Sequence, residues 1–178
     1  GGWSGDVVGS DNPLTVSMTS DLSLKALFNQ DARDPDTDGL TNYEELVVTN
    51  TDPQNPDSDD DGYSDGVEQT EATDPNSAAD YPTRTLSLLE TTNGSLFGDG
   101  VYRLNSTVDV VASPNLGYVL SSWTGDASGT ENPLQITITE DQSFGASFIQ
   151  DLRDPDNDGL SNYRELVVLR TNPDNADT

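Results

Sequence analysis

The sequence predicts a mainly β chain, in which small antiparallel, sandwich-like modules alternate with acidic loop segments that carry short helices. Three observations lead there. The chain repeats itself at one fixed offset, its acidic residues crowd into two stretches, and the stretches between them alternate apolar and polar residues between turn signals.

The repeat is visible by inspection. Trp3-Ser4-Gly5-Asp6 returns as Trp123-Thr124-Gly125-Asp126, Asn12-Pro13-Leu14 as Asn132-Pro133-Leu134, and Arg33-Asp34-Pro35-Asp36 as Arg153-Asp154-Pro155-Asp156. Every offset is 120, and about 31 of the 58 aligned pairs at the two ends are identical without a gap. The expected unit is therefore about 120 residues long, of which the 178 residues hold roughly one and a half. Such a stretch reads as a window on a longer tandem array. The expected organisation is the C-terminal part of a β module at 1–31, an acidic segment at 32–82, a complete β module at 83–150, and the start of the next acidic segment at 151–178.

Composition narrows the chemistry. The chain has 33 Asp and Glu against 7 Lys and Arg, a formal net charge of -26. A polyanion of this strength is repelled by nucleic acid and by anionic membrane surfaces. Without His or Cys, imidazole bases, thiolate nucleophiles, disulfides and nitrogen- or sulfur-ligated metals are all excluded. No apolar run approaches the roughly 20 residues of a membrane helix, and none reads as a signal peptide. The apolar fraction of 31% is low against the usual roughly 45–50%, which leaves either a disordered acidic tail or small modules whose acids hold cations.

The spacing of the acids selects the second. Asp34, Asp36, Asp38, Asn42 and Glu45 occupy positions 1, 3, 5, 9 and 12 of a loop with Gly39 at position 6. This is the oxygen-ligand spacing of an EF-hand-type calcium loop, in which the carbonyl of Leu40 serves position 7. Asp57, Asp59, Asp61, Tyr63 (carbonyl), Asp65 and Glu68 repeat the pattern around Gly62, and Asp154, Asp156, Asp158, Leu160 (carbonyl), Asn162 and Glu165 repeat it around Gly159. Calcium is hard and takes 6–8 oxygens; magnesium, the ionic alternative, keeps its waters and demands a stricter octahedron. At least three Ca2+ sites are expected. The competing reading is a solvated acidic loop that caps a helix through Asn42 or Asp65. Short helices are expected over Asn42–Thr49, Asp65–Glu71 and Asn162–Leu169, each ended by Thr-Asp-Pro or Thr-Asn-Pro. Asp52, Asn55 and Asp74 are candidates for further ligands or caps.

The run Asp-x-Asp-x-Asp-Gly-Leu-x-Asn-Tyr-x-Glu-Leu, then Thr-Asp-Pro, then Asp-Ser-Asp-Asp-Asp-Gly-Tyr-Ser-Asp-Gly-Val-Glu, resembles thrombospondin type 3 repeats of the bacterial kind over 32–82 and 151–178. That resemblance implies calcium bound by the Asp, Asn and Glu positions just named, with the chain wrapped around a row of ions. Asn42 and Asn162 stand where Asp is commoner, removing one charge from each loop.

In the β module, strands are expected over 84–92, 100–104, 107–113, 117–124, 133–139 and 142–149, with Val108, Val110, Ala112 and Ile136, Ile138 in period-two alternation. Asn93-Gly94 is a hairpin signal. Tyr118, Trp123, Phe144 and Phe148 form either a carbohydrate platform or a core, and a module of this size without a disulfide needs Trp123 and Phe148 inside. Asn93-Gly-Ser and Asn105-Ser-Thr match the N-glycosylation pattern. Gly98-Asp-Gly-Val-Tyr-Arg, Thr107-Val-Asp-Val-Val-Ala-Ser-Pro, Gly117-Tyr-Val-Leu-Ser-Ser-Trp-Thr-Gly-Asp, Pro133-Leu-Gln-Ile-Thr-Ile and Ser147-Phe148 together resemble the divergent internalin-type B-repeat domain of bacterial surface proteins. The resemblance implies a spacer or ligand-presenting module and carries no catalytic residue.

The expected function is a structural repeat segment of an extracellular or cell-surface bacterial protein or filament, whose calcium ions rigidify the linkers between β modules. An adhesin or glycan-binding module of a secreted protein is the alternative. No enzyme is expected, because the convergent acids are accounted for by calcium-loop spacing. The expected partners are neighbouring repeats or identical chains, including head-to-tail, with a glycan or surface ligand under the alternative. Residues 1–31 hold only the last strands of a module, so the missing part is expected from preceding residues or from a neighbouring molecule.

Overall fold

The computed structural model describes residues 1–176; the last two residues of the segment 151–178 lie outside the described residues. Strand accounts for 30% and helix for 13% of the structure, so the chain is mainly β. It divides into two units, Gly1–Tyr81 and a second from Pro82 onward.

In the second unit, β3 (Thr83–Leu88), β5 (Gly100–Arg103), β7 (Tyr118–Gly125) and β9 (Gln142–Gln150) form a four-stranded sheet in the order β5-β3-β9-β7. A three-stranded sheet joins β4 (Gly94–Phe97), β6 (Thr107–Pro114) and β8 (Leu134–Thr137) in the order β4-β6-β8. Leu86, Trp123, Phe144 and Phe148 from the first sheet meet Val110 and Ala112 from the second, and Ile138 just past the end of β8, in one buried cluster. The alternation expected from β6 is present: Val110 and Ala112 are buried and Asp109 and Val111 exposed, because successive side chains leave a strand on opposite faces. The four aromatics thus make a core rather than an open platform: Trp123, Phe144 and Phe148 are buried, and half-buried Tyr118 meets Tyr163 edge to face at 5.3 Å.

Two expectations need correction. Seven strands replace the expected six, since Gly94–Phe97 forms β4. Asn93-Gly94 is not a hairpin tip. Asn93 does turn the chain at a φ of 67°, but β3 and β4 on either side belong to different sheets. The sheets are antiparallel as expected, apart from β3, which runs parallel to β9 and pairs Leu86 with Gln142 and Leu88 with Phe144.

In the first unit, β1 (Gly2–Gly5) and β2 (Leu24–Leu27) form a two-stranded antiparallel sheet, followed by two acidic loops with their helices. The helix α2 (Asp65–Glu71) lies where expected, but the other two differ. A short α1 (Asn42–Glu44) widens into a π turn over Glu45–Thr49, and Arg164–Leu169 forms the same π turn in the second unit. The cause is spacing. In each case the N–H of a threonine closes on the carbonyl of the last loop residue: Thr51 on Glu45, Thr73 on Glu68, Thr171 on Glu165. Thr73 follows its Glu by five residues; Thr51 and Thr171 follow theirs by six. The additional residue is accommodated by one wider turn. Among the described residues no helix is long and apolar enough to cross a membrane.

Candidate metal centres

Each acidic loop is shaped by its own side chains. The carboxylate of Asp34 accepts from the N–H groups of Thr37 (2.8 Å) and Gly39 (3.3 Å), and Asp38 accepts from the N–H of Leu40 (2.7 Å). Asp57 and Asp61 make the matching bonds to Gly62 (2.9 Å) and Tyr63 (2.9 Å), as do Asp154 and Asp158 to Gly159 (3.0 Å) and Leu160 (2.7 Å). Two backbone reversals recur in every loop. Position 4 is left-handed at Thr37, Asp60 and Asn157, and position 6 carries Gly39, Gly62 and Gly159 at φ of 102°, 101° and 91°. A Cβ at these glycines would meet no atom within 4 Å. The φ itself, rather than crowding, calls for glycine.

This folding brings carboxylates together. Asp34, Asp36 and Asp38 each place an oxygen within 4.8 Å of the others, as do Asp57, Asp59 and Asp61, and Asp154, Asp156 and Asp158. Beneath each triad sits a fully buried glutamate, Glu45, Glu68 or Glu165. Burial pushes Glu45 up to about 7, helped by the charges of Asp36 and Asp38. Burial likewise raises Glu68 to about 7, helped by Asp59 and Asp61, and raises Glu165, helped by Asp156 and Asp158. Asp36, Asp59 and Asp156 are raised for the same leading reason. The protein alone therefore resists the charge it has gathered.

The remaining predicted positions divide. Leu40 is buried and Tyr63 and Leu160 are half-buried, each with its N–H held by the position-5 aspartate. Asn42 and Asn162 donate their amide Nδ2 to Asp31 (3.0 Å) and Asp151 (2.8 Å), which leaves each Oδ1 turned inward without a partner. Asp65 differs: both of its oxygens are taken by the N–H and hydroxyl of Ser58 (2.8 and 2.7 Å). Neither Asn42 nor Asp65 caps its helix, since Thr41 and Ser64 do. Asp52 and Asp74 accept from backbone N–H groups two residues on, and Asn55 donates to the carbonyl of Asp57.

Two kinds of supporting residue emerge only in three dimensions. Asp31 and Asp151 grip the guanidinium of Arg33 or Arg153 and the amide of the position-9 asparagine, so each ties the loop entrance to the helix start. The arginine holds both carboxyls well below the usual range. Thr73 and Thr171 donate their hydroxyls to one oxygen of Glu68 (3.4 Å) and Glu165 (3.3 Å). The signal was present in the chain, as Asp three residues ahead of each outer loop and Thr five or six residues after each Glu.

The donor set can be tested against a cation. Among the described residues, the inward oxygens of Asp36, Asn42, Glu45, Asp59, Glu68, Asp154, Asp156, Asn162 and Glu165 are buried and have no hydrogen-bond partner, Glu45 with both. A buried polar atom left unsatisfied costs about 1–3 kcal/mol, more when charged, and natural folds hold few. Nine residues in three equivalent places share this condition. All the donors are oxygens, which suits a hard divalent ion.

These segments match the bacterial TSP3 repeat, and the sandwich matches the divergent InlB B-repeat domain. The TSP3 matches span residues 34–56, 57–78 and 154–176, and the B-repeat match spans 84–151. The comparisons with curated proteins and with solved structures gave no match. TSP3 repeats are of the calcium-binding type, and each of the three here contains one carboxylate triad and one buried glutamate. Two TSP3 repeats stand in tandem in the first unit and are joined directly: Asp38 of the first accepts at 2.9 Å from the N–H of Gly66 in the second.

Proposed function

We propose that the chain is a structural repeat segment of an extracellular bacterial surface protein or filament, in which calcium bound by the TSP3 loops rigidifies the connections between β modules. The organisation proposed is a partial β module at 1–31, a calcium segment at 32–82, a complete β module at 83–150 and a further calcium segment from 151. The observation that carries this reading is the set of buried, unpartnered carboxylate oxygens converging in three equivalent loops.

In each loop the three aspartates, the buried glutamate and the position-7 carbonyl would hold the ion, with Asn42 and Asn162 adding an oxygen in the outer two. The ion supplies positive charge where the protein has assembled negative charge, and binding that exists only in the folded state is folding energy. Nothing in the arrangement calls for catalysis, since the convergent acids serve as ligands. The structural reading is favoured over the adhesin reading because Trp123, Phe144 and Phe148 are spent in the core.

Small-angle scattering with calcium and with chelator tests the proposal. The expected result is a single extended form in calcium and a broadened distribution of dimensions in chelator. An unchanged maximum dimension and flexibility profile would overturn it.

A further inference from the structure

Residues 1–31 fold locally as the corresponding part of the complete module does. Trp3 pairs with Ala26 as Trp123 does with Ala146. The indole of Trp3 donates to the carbonyl of Asp11 as that of Trp123 does to Glu131, and Asp6 accepts from the N–H of Ser23 as Asp126 does from Ser143. The two segments differ in what covers them. Phe148 is 8% exposed, Ile138 0% and Phe144 1%; their counterparts Phe28, Met18 and Leu24 are 91%, 70% and 37% exposed.

In the complete module the cover comes from residues 82–118. The strand β3 pairs alongside β9. Gly94 lies against the Phe148 ring so closely that a Cβ would come within 2.5 Å of it. The amide side chain of Asn132 bonds both backbone groups of Ala112, at 3.0 and 2.7 Å. Even the acidic helix is included: Gly117 seats against Val167, and Tyr118 meets Tyr163 edge to face. Their counterparts Val47 and Tyr43 line an open groove of about 360 Å3 with Phe28 and Leu46.

We infer that the face formed by β1, β2, residues 12–18 and the Tyr43–Val47 helix is an acceptor for a polypeptide segment of the 82–118 type, which completes a second sandwich in the register of the first. The face is already shaped for one partner, and the same chain displays that partner in place 120 residues on. The 82–118 segment of these 178 residues is not free to supply it, because its own β7–β9 half already uses it.

The test is hydrogen exchange of the full 178-residue chain, kept in calcium, with a synthetic peptide of residues 82–118. The expected result is saturable protection at 12–18 and 22–28 with one peptide per chain. Phe28→Asp, at an exposed position, weakens the apparent affinity more than tenfold, and a peptide carrying Gly94→Val weakens it comparably. A second format removes dependence on peptide solubility: residues 82–120 joined directly ahead of Gly1. There, exchange at 12–28 slows at least tenfold and Phe28→Asp restores it. Unchanged exchange in the joined format overturns the inference, as does protection indifferent to Phe28→Asp. So does sedimentation showing that the chain alone dimerises through this face.

Discussion

Gly66→Ala sets two physical effects against each other. Gly66 is the second residue of α2, where alanine is the better helix former by roughly 0.5–1 kcal/mol. Propensity alone thus predicts stabilisation. The structure predicts the reverse. A Cβ on Gly66 would lie 2.2 Å from the carbonyl oxygen of Asp38 and 3.1 Å from its carbonyl carbon. Both atoms are backbone, so one repeat must move by about 1 Å to reach ordinary contact. That movement breaks the 2.9 Å bond from the Gly66 N–H to Asp38 Oδ2. A hydrogen bond to a charged group contributes about 1.5–3 kcal/mol; after the gain in propensity, the net loss is about 1–2 kcal/mol. Asp38 is a proposed ligand of the first loop, so the loss should be felt as calcium affinity weakened by roughly 5–30-fold. Calorimetric titration of the full chain reads it, with the loop at 154–165, which carries no substitution, as internal reference. A variant that binds calcium unchanged, or that melts higher by the propensity increment, would refute the reasoning.

Three further outcomes follow from the same geometry. Glu68→Gln keeps the shape but removes a buried charge from the second loop, and calorimetry should show affinity there falling on the order of tenfold or more. The pH dependence of the metal-free fold should run opposite to that of the calcium form. Glu45 and Glu68 sit at about 7 in the fold against a reference of 4.5, so their contribution is fully present below about 4.5 and is lost as pH rises through about 7; thermal melts in chelator should therefore rise from pH 8 to pH 5, while apparent calcium affinity measured by titration falls over the same range. Leu86→Ala, which empties a fully buried core position, should cost about 2–5 kcal/mol by chemical denaturation, equally with and without calcium.

The turn geometry of the acidic loops was the most legible part of the chain, because it is local: alternate acids around one glycine fix a turn whose own carboxylates bond its own N–H groups. Helix α2 was legible for the same reason. The π turns were not, since they follow from the interval between Glu45 and Thr51, whose significance appears only once Thr73 is seen closing on Glu68 one residue sooner. The alternation in β6 marked its buried face, whereas the pairing of Leu86 with Gln142 joins residues far apart in the chain and has no local signature. Asn93-Gly94 misled because a left-handed turn redirects a strand equally well between two sheets as within one. The clamps Asp31 and Asp151 have no local signature of their role, since the position-9 amide joins the arginine on the same carboxylate only in the fold.

Hydrogen exchange of the intact chain in calcium and in chelator tests most directly whether the acidic segments owe their structure to bound calcium. On the present account, chelator strips protection from amides in 32–81 and 151–176, while those in the paired strands β3–β9 keep theirs. Acidic segments that remain as protected in chelator as in calcium would contradict it.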